Sequence, residues 1–214
     1  DTVSKKNLAE LPTAYDYIRL GHPLSSLLEW AIAKKHNVKP RSAISFASST
    51  MPLLAILREQ KINGKKTTIF HTDPLPPHFD TALLRDVYGY TFHVTPVLSV
   101  NDIQNSKETT IYISQRLSLD QLQLPPHVDF TVHIEKPLGS LVFAKNERFI
   151  PIIQHVRRRE TIAMTPQHAL VGLKRLVDQP ATAIKAQPKT QEEVEHHIQE
   201  VTGTKSKPLL ASSG

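Results

Sequence analysis

The chain has 214 residues, of which 39% are hydrophobic and 21% are charged. This length and composition suit one compact domain with a real core, and they leave too little chain for two large domains. The sequence contains no cysteine, which excludes disulfides, thiolate zinc sites and cysteine nucleophiles. No apolar run approaches the roughly eighteen residues that a membrane-spanning helix needs, so no membrane span is predicted.

The formal net charge of +6 favours polyanionic neighbours such as RNA or acidic lipid, and a mildly basic protein with no such partner is the alternative. The basic residues form no single long block, and the densest spot is Arg157-Arg158-Arg159. The first residue is Asp1 rather than Met, which is typical of a processed product or a fragment.

The N-terminal region predicts an irregular arm followed by a helix. Residues 1–23 carry few periodic apolar positions and end in Gly21-His22-Pro23. Ser25 or Ser26 is the predicted N-cap, and apolar residues at helical spacing follow it. Glu29 is predicted to lie in the first turn, where the helix dipole favours a carboxylate.

Short apolar segments predict six strands that alternate with helices, which favours parallel pairing. One helix is predicted over about Thr50–Gln60. Another follows the prolines of residues 74–77, runs through Phe79 to Val87 and ends at Gly89. The last two strands are joined only by Pro137-Leu138-Gly139, and so short a connection requires an antiparallel pair. The predicted fold class is a three-layer α/β domain with a mixed, mostly parallel sheet and one antiparallel strand. The predicted strands are Arg41–Phe46, Thr67–His71, Thr91–Val94, Thr110–Ser114, Val128–Ile134 and Ser140–Ala144.

The C-terminal third begins with a strong helix start at Thr165-Pro166, where a hydroxyl cap precedes a proline at the first helical position. This helix is predicted to stop before Pro180. A linker at 178–190, a polar helix over about Gln191–Val201 and a flexible tail follow. The predicted organisation is therefore an arm at 1–23, an α/β domain at 24–177, and a linker, helix and tail at 178–214.

Four segments carry motifs that occur in the same order in one enzyme family. Tyr17–Pro23 resembles a Tyr-x-Arg-x-Gly-Asn-Pro segment, and Phe46–Met51 resembles a strand followed by a Ser-Ser-Gly-Met turn. Val128–His133 resembles the Ala-Asp-Ile-Val-x-His strand that leads to a catalytic lysine, and Thr165–Lys174 resembles a Ser-Pro…Leu-x-Gly-Leu-Lys helix. Over about residues 15–177 the chain therefore resembles a degenerate, truncated member of the cystathionine synthase and lyase group of fold-type I pyridoxal-phosphate enzymes.

The resemblance implies a phosphate-binding turn at Ser49, Thr50 and Met51, where backbone N–H groups at a helix N-terminus would hold the cofactor phosphate. Thr50 replaces the family's glycine, and the next residue after Met51 is Pro52, which has no N–H to donate. Tyr17 and Arg19 are further remnant candidates, because in the family they reach the phosphate of a neighbouring subunit.

The resemblance also implies a Schiff-base lysine, a stacking aromatic ring and a carboxylate on the pyridine nitrogen. Lys136 is the remnant candidate for the lysine, although it lies one residue early and an ordinary turn lysine is the alternative. Prolines follow Asp73 where the aromatic residue belongs. Too few residues join Ser114 to Val128 for the strand that carries the carboxylate. The family's C-terminal domain is not recognisable either, so no catalytic residue and no bound cofactor are expected.

The sequence also bears on metal, nucleophile, phosphate-loop and RNA sites. His196 and His197 point about 100° apart on a helix, so no metal site is predicted. The chain has no Gly-x-Ser-x-Gly turn, no P-loop and no Gly-x-Gly-x-x-Gly. Arg157, Arg158 and Arg159 are candidates for contact with RNA phosphates, and a solvated helix end is the alternative.

The sequence thus favours a non-catalytic subunit of a larger assembly, with other protein subunits as partners, possible RNA contact and a homodimer left open. A mitochondrial complex such as the ribosome is the predicted setting, and the cytoplasm is the alternative location. Two other functions remain as hypotheses. One is an active pyridoxal-phosphate lyase or transferase of sulfur amino-acid metabolism, and the other is an RNA-binding module.

Overall fold

The computed structural model describes residues 21–76, 78–115, 118–119, 121–181 and 191–208. The chain divides into two compact units, Asp1–Ala181 and Thr182–Gly214. The described part of the second unit consists of helix α6, Gln191–Thr202, and the residues that follow it to 208. All other elements belong to the first unit.

The first unit is built on a six-stranded sheet with the order β1-β6-β5-β4-β2-β3. Strands β1 to β5 run parallel to one another, and β6 runs antiparallel between β1 and β5. This confirms the predicted fold class. The strands are β1 Ala43–Phe46, β2 Thr67–His71, β3 Phe92–Pro96, β4 Thr109–Ser114, β5 Phe130–Glu135 and β6 Gly139–Ala144.

Strands β5 and β6 form the tight pair that the sequence predicted, with Glu135 opposite Gly139. Gly139 lies where β6 enters the sheet next to the end of β1, and its φ of +132° is one that side chains disfavour. A Cβ added to Gly139 would lie 2.2 Å from the carbonyl oxygen of Phe46. Glycine is therefore required both by the backbone conformation and by the close approach of β1.

Helices cover both faces of the sheet. One face packs its apolar side chains against three helices, and this is the main core. The opposite face is covered by two helices that pack against each other. The first group is α2 Met51–Ile62, α3 Thr81–Asp86 and α4 Ile150–Glu160, and the second is α1 Pro23–Lys35 and α5 Pro166–Leu176.

Local sequence patterns predict the start of α5 correctly but not the start of α1. Helix α5 begins as predicted, since the Thr165 hydroxyl accepts from the His168 N–H at 3.3 Å and Pro166 is the first helical residue. The predicted cap of α1 is wrong. His22 caps this helix, because its Nδ1 accepts from the Ser25 N–H at 3.1 Å. The helix therefore begins earlier than predicted, and Glu29 lies beyond its first turn.

The segment after β2 also differs from its prediction. Helix α3 begins only at Thr81, where the Asp80 side chain accepts from the Leu83 N–H at 2.9 Å. Phe79 precedes the helix and is buried in the main core, with its ring 5.9 Å from that of Phe92. Among the described residues, no helix combines the length and the apolar character that crossing a bilayer requires.

Candidate functional site

In open α/β sheets, ligands bind beyond the carboxyl ends of the parallel strands. In this chain that edge contains the turn after β1, the turn after β2, the segment after β4 and the turn after β5. It therefore brings together the described residues that resemble the cofactor motifs. Tyr17 and Arg19 lie outside the described residues, so their predicted role stays a prediction.

In the turn between β1 and α2, the N–H groups of Thr50 and Met51 are already engaged. The Ser48 hydroxyl oxygen accepts from the N–H groups of Thr50 and Met51, each at 3.2 Å. The next two N–H groups that α2 offers, from Leu53 and Leu54, donate to the Thr50 carbonyl at 3.0 and 3.2 Å. Pro52 between them has no N–H. An anion at this helix N-terminus would have to displace the Ser48 hydroxyl to reach the N–H groups of Thr50 and Met51.

The same turn is tied to the neighbouring antiparallel strand. The Ser140 hydroxyl donates to the Ser48 carbonyl at 2.5 Å. Ser49 and Thr50 are only partly buried, and the Thr50 side chain makes no capping hydrogen bond. The predicted phosphate-turn residues are therefore adjacent and partly accessible. The N–H groups of Thr50 and Met51, however, cap the start of α2 through the Ser48 hydroxyl.

Lys136 lies in the turn between β5 and β6, and its side chain is exposed. The residues before it form a buried polar network. His133 is fully buried, and its Nε2 donates to the Glu135 carboxylate at 3.1 Å. Arg175 from α5 donates to the other oxygen of the same carboxylate. The positions that flank the lysine are thus used in joining α5 to the sheet, and a catalytic origin for Lys136 stays a prediction.

The turn after β2 presents no aromatic ring where the family would stack one on its cofactor. Asp73 is buried and accepts from the Gln115 N–H at 3.3 Å and from the Thr72 hydroxyl at 3.4 Å. Pro74, Leu75 and Pro76 follow it. Phe79, the first aromatic residue after Asp73, is committed to the core.

Strands β4 and β5 are direct neighbours, with Ile111 opposite Phe130. No strand lies between them, and the described residues of the connecting segment 115–129 form neither helix nor strand. Leu119 of this segment is buried, and its carbonyl oxygen lies 3.0 Å from the His36 Nε2. Leu119 therefore lies beside α1 and α5, and the described part of the segment adds no strand that could carry the family's pyridine-pairing carboxylate.

A cavity of about 250 Å³ lies beside the turn of Thr50 and Met51. Arg58 and Glu160 form part of its wall and make a two-pronged ion pair, with Arg58 Nη2 and Glu160 Oε2 2.8 Å apart. The hydrogen bond from Arg58 lowers the pKa of the Glu160 carboxyl below its ordinary value. Arg58 and Glu160 thus neutralise each other within this wall.

The three arginines predicted to contact RNA are not equivalent. All three lie in the last turn of α4, which agrees with the alternative prediction that they form the end of a helix. Arg158 and Arg159 are exposed. Arg157 is buried, and its Nη1 lies 2.5 Å from the Glu29 carboxylate of α1. The prediction that Arg157 contacts RNA is therefore wrong, because its guanidinium is buried and paired with Glu29.

Helix α6 carries the histidine pair and the acidic residues considered as metal ligands. His197 and Glu200 approach only to 3.7 Å. Within the ranges that the structure describes, no group of three or more histidine and acidic side chains could hold a metal ion.

No protein-family model matches this sequence. No curated protein sequence matches it either. Solved structures do match its fold. The protein metB from Corynebacterium glutamicum aligns with a TM-score of 0.50 and 16% identity over 83% of this chain and 57% of that chain. Cystathionine gamma synthase from Xanthomonas oryzae pv. oryzae, in complex with cystathionine, aligns with a TM-score of 0.54 and 16% identity over 78% of this chain and 54% of that chain.

A protein named as an L-allo-threonine aldolase, from Listeria monocytogenes EGD-E, aligns with a TM-score of 0.50 and 13% identity. That alignment covers 80% of this chain and 64% of the other. The chain thus spans between about half and two thirds of the length of these proteins. At such identities the likeness concerns the fold alone. The first unit has the α/β fold of the large domain of pyridoxal-phosphate transferases.

Proposed function

We propose that this chain is a non-catalytic interaction subunit of a larger assembly, built on a degenerate pyridoxal-phosphate enzyme fold. The observation that carries the proposal is the turn after β1. There Ser48 occupies the N–H groups of Thr50 and Met51, and Pro52 lacks a donor. Since the cofactor's phosphate depends on such donors, the described residues of this turn fit the group poorly.

Two further observations support the loss of chemistry. The direct pairing of β4 with β5 leaves no strand to carry a carboxylate toward a pyridine nitrogen. The Glu135 carboxylate, which lies nearest Lys136 in the chain, is already bound by His133 and Arg175. Among the described residues, Lys136 is therefore exposed and has no neighbouring group left to orient a cofactor around it.

The surface supports an interaction role. Trp30 on α1 is 51% exposed and Leu27 on the same helix is also exposed, as are Val87 and Tyr88 beyond α3. Large exposed apolar side chains are enriched where proteins contact partners. The predicted mitochondrial location and place in a ribosome rest on the basic charge, and they remain part of the proposal.

Sedimentation of a native lysate that contains a tagged copy of the chain tests the positive part of the proposal. We expect the chain to comigrate with a large particle at a fixed stoichiometry, together with the same partner proteins in independent preparations. A chain that migrates alone, as a 24.0 kDa monomer or a dimer of it, contradicts the proposal.

An active pyridoxal-phosphate lyase or transferase is the second candidate, and the likeness of fold to cystathionine gamma synthase favours it. An enzyme of this class carries its cofactor on a lysine and absorbs near visible wavelengths. A purified protein that shows such absorption would support this candidate. A protein that is colourless after incubation with the cofactor and removal of the unbound excess supports the interaction role.

A further inference from the structure

Several basic residues of the chain lie together at the amino ends of the parallel strands, opposite the cofactor motifs. These amino ends meet at one edge of the sheet, and antiparallel β6 also ends there. Cations that are scattered in the sequence therefore become neighbours. Six exposed cations lie next to strand ends at this edge: Lys39 before β1, Lys65 and Lys66 before β2, Lys107 before β4, and Lys145 and Arg148 after β6.

These cations line two adjoining clefts. Lys65, Lys66, Lys107 and Arg148 line a cleft of about 390 Å³. Lys39 and Lys145 belong to the wall of a second cleft of about 690 Å³. Asp129 belongs to the walls of both clefts, so the two clefts adjoin.

The carboxylates in these walls are engaged by the chain. Asp129 accepts from the N–H and the hydroxyl of Thr110, at 2.9 and 3.0 Å. Glu108 accepts from the Thr68 hydroxyl at 2.7 Å. Glu147 pairs with Lys39. Six cations thus share the clefts with three carboxylates, and the balance favours an anionic ligand.

We propose that this basic edge binds the phosphate backbone of RNA. From β1 to β2 the clefts cross four strand spacings, or about 19 Å, which accommodates several consecutive phosphates. Among the described residues that line the clefts, the single aromatic, Phe149, is buried. Without exposed rings for base stacking, the contacts are to phosphates and are independent of sequence.

The shape of this edge favours RNA over an acidic membrane surface. The cations line concave clefts, which a chain of phosphates can enter, whereas a flat bilayer would touch only the rims. The inference goes beyond the proposed function, because this edge is remote from the cofactor motifs and its charge does not depend on them.

Binding of a fluorescently labelled oligouridine, followed by anisotropy over a range of salt concentrations, tests the proposal. The double variant Lys65→Gln/Lys107→Gln removes two contacts from one cleft. We expect it to lose about tenfold in affinity at moderate salt, and the slope of log affinity against log salt to become shallower by about 1.4. The control is Lys136→Gln, which removes an exposed cation from the turn after β5, at the opposite ends of the strands, and should bind within about twofold of the wild type.

A second readout on the unmodified chain covers the case in which a variant fails to fold. In acetylation footprinting, RNA should protect Lys66 and Lys107 from reagent while Lys136, in the turn after β5, stays reactive. A loss of affinity for Lys136→Gln as large as that for Lys65→Gln/Lys107→Gln, an unchanged salt slope for Lys65→Gln/Lys107→Gln, or absence of protection would overturn the proposal. Tighter binding to vesicles of anionic lipid or to polyglutamate than to RNA would also overturn it. Because the assay contains no cofactor, its failure would leave the proposed loss of catalysis untouched.

Discussion

Arg157 and Glu29 form an ion pair that joins two helices on opposite faces of the sheet. Arg157 Nη1 lies 2.5 Å from Glu29 Oε1, and the side chains are only 7% and 14% exposed. The same oxygen accepts from the N–H and the hydroxyl of Ser45 on edge strand β1, at 2.8 and 2.7 Å. The Glu29 carboxylate therefore satisfies a backbone N–H on the exposed edge of β1. The same group links α1 to α4 past this edge of the sheet.

Replacing Arg157 by glutamine should destabilise the fold by about 3 kcal/mol, because the buried Glu29 carboxylate loses its counter-charge. The measurement is the free energy of unfolding in urea. Arg158→Gln is the matched control, since its exposed side chain should change stability by no more than about 0.5 kcal/mol. Equal effects of the two substitutions would mean that the ion pair does not stabilise the fold.

Gly139→Ala should destabilise the chain by about 3 kcal/mol or more, because the added Cβ would overlap the carbonyl oxygen of Phe46 at a φ of +132°. Gly64→Ala is the matched comparison. Gly64 also has a positive φ, +63°, but its Cβ would meet no atom within 4 Å. A cost of only about 1–2 kcal/mol is expected there. Thermal unfolding of both variants distinguishes the overlap from the backbone cost.

The Arg58–Glu160 pair should make stability depend on acid pH. Because the hydrogen bond from Arg58 lowers the pKa of the Glu160 carboxyl in the folded state, the unfolded state binds that proton more readily. The contribution is therefore present above the ordinary value of 4.5 and is lost as the pH falls through the lowered folded-state pKa. The two side chains are 39% and 35% exposed, so solvent screening limits it to below about 1 kcal/mol.

Urea unfolding of the wild type and of Glu160→Gln at several pH values measures this contribution. The wild type should be more stable at neutral pH, and the difference should shrink below pH 4.5. Glu200→Gln, whose side chain is 70% exposed, serves as the control and should show little change. A difference that is constant from neutral to strongly acid pH would contradict the assignment.

Ser48→Ala should cost about 1–2 kcal/mol, because the N–H groups of Thr50 and Met51 lose their shared acceptor. Ser49→Ala, one residue further along the same turn, should cost less than about 0.5 kcal/mol. Chemical denaturation of the two variants provides the comparison. If Ser49→Ala were the more damaging substitution, the hydrogen-bond pattern of this turn would be incorrectly assigned.

Much of the fold could be predicted from the sequence because its causes are local. The strands follow short apolar segments, and the pairing of β5 with β6 follows from the three residues that join them. The start of α5 follows from Thr165-Pro166, since the cap and the first helical residue are adjacent. Six strands in a mostly parallel sheet then follow from the alternation with helices.

The wrong predictions concern side chains whose partners lie far along the chain. His22, rather than a serine, caps α1 because its Nε2 also donates to the Met164 carbonyl at 2.7 Å. Arg157 belongs to a basic run, and nothing near it in sequence announces Glu29. The cluster of cations at the amino ends of the strands cannot be predicted from the sequence either, because these cations come together only when the strands are ordered in the sheet.

Borohydride reduction after incubation with pyridoxal phosphate, followed by peptide mass mapping, tests the loss of the cofactor site most directly. We expect Lys136 to be labelled no more than other exposed lysines such as Lys35 and Lys65, and Lys136→Ala to behave as the wild type. Stoichiometric labelling confined to Lys136, with an absorption band that Lys136→Ala abolishes, would contradict the account.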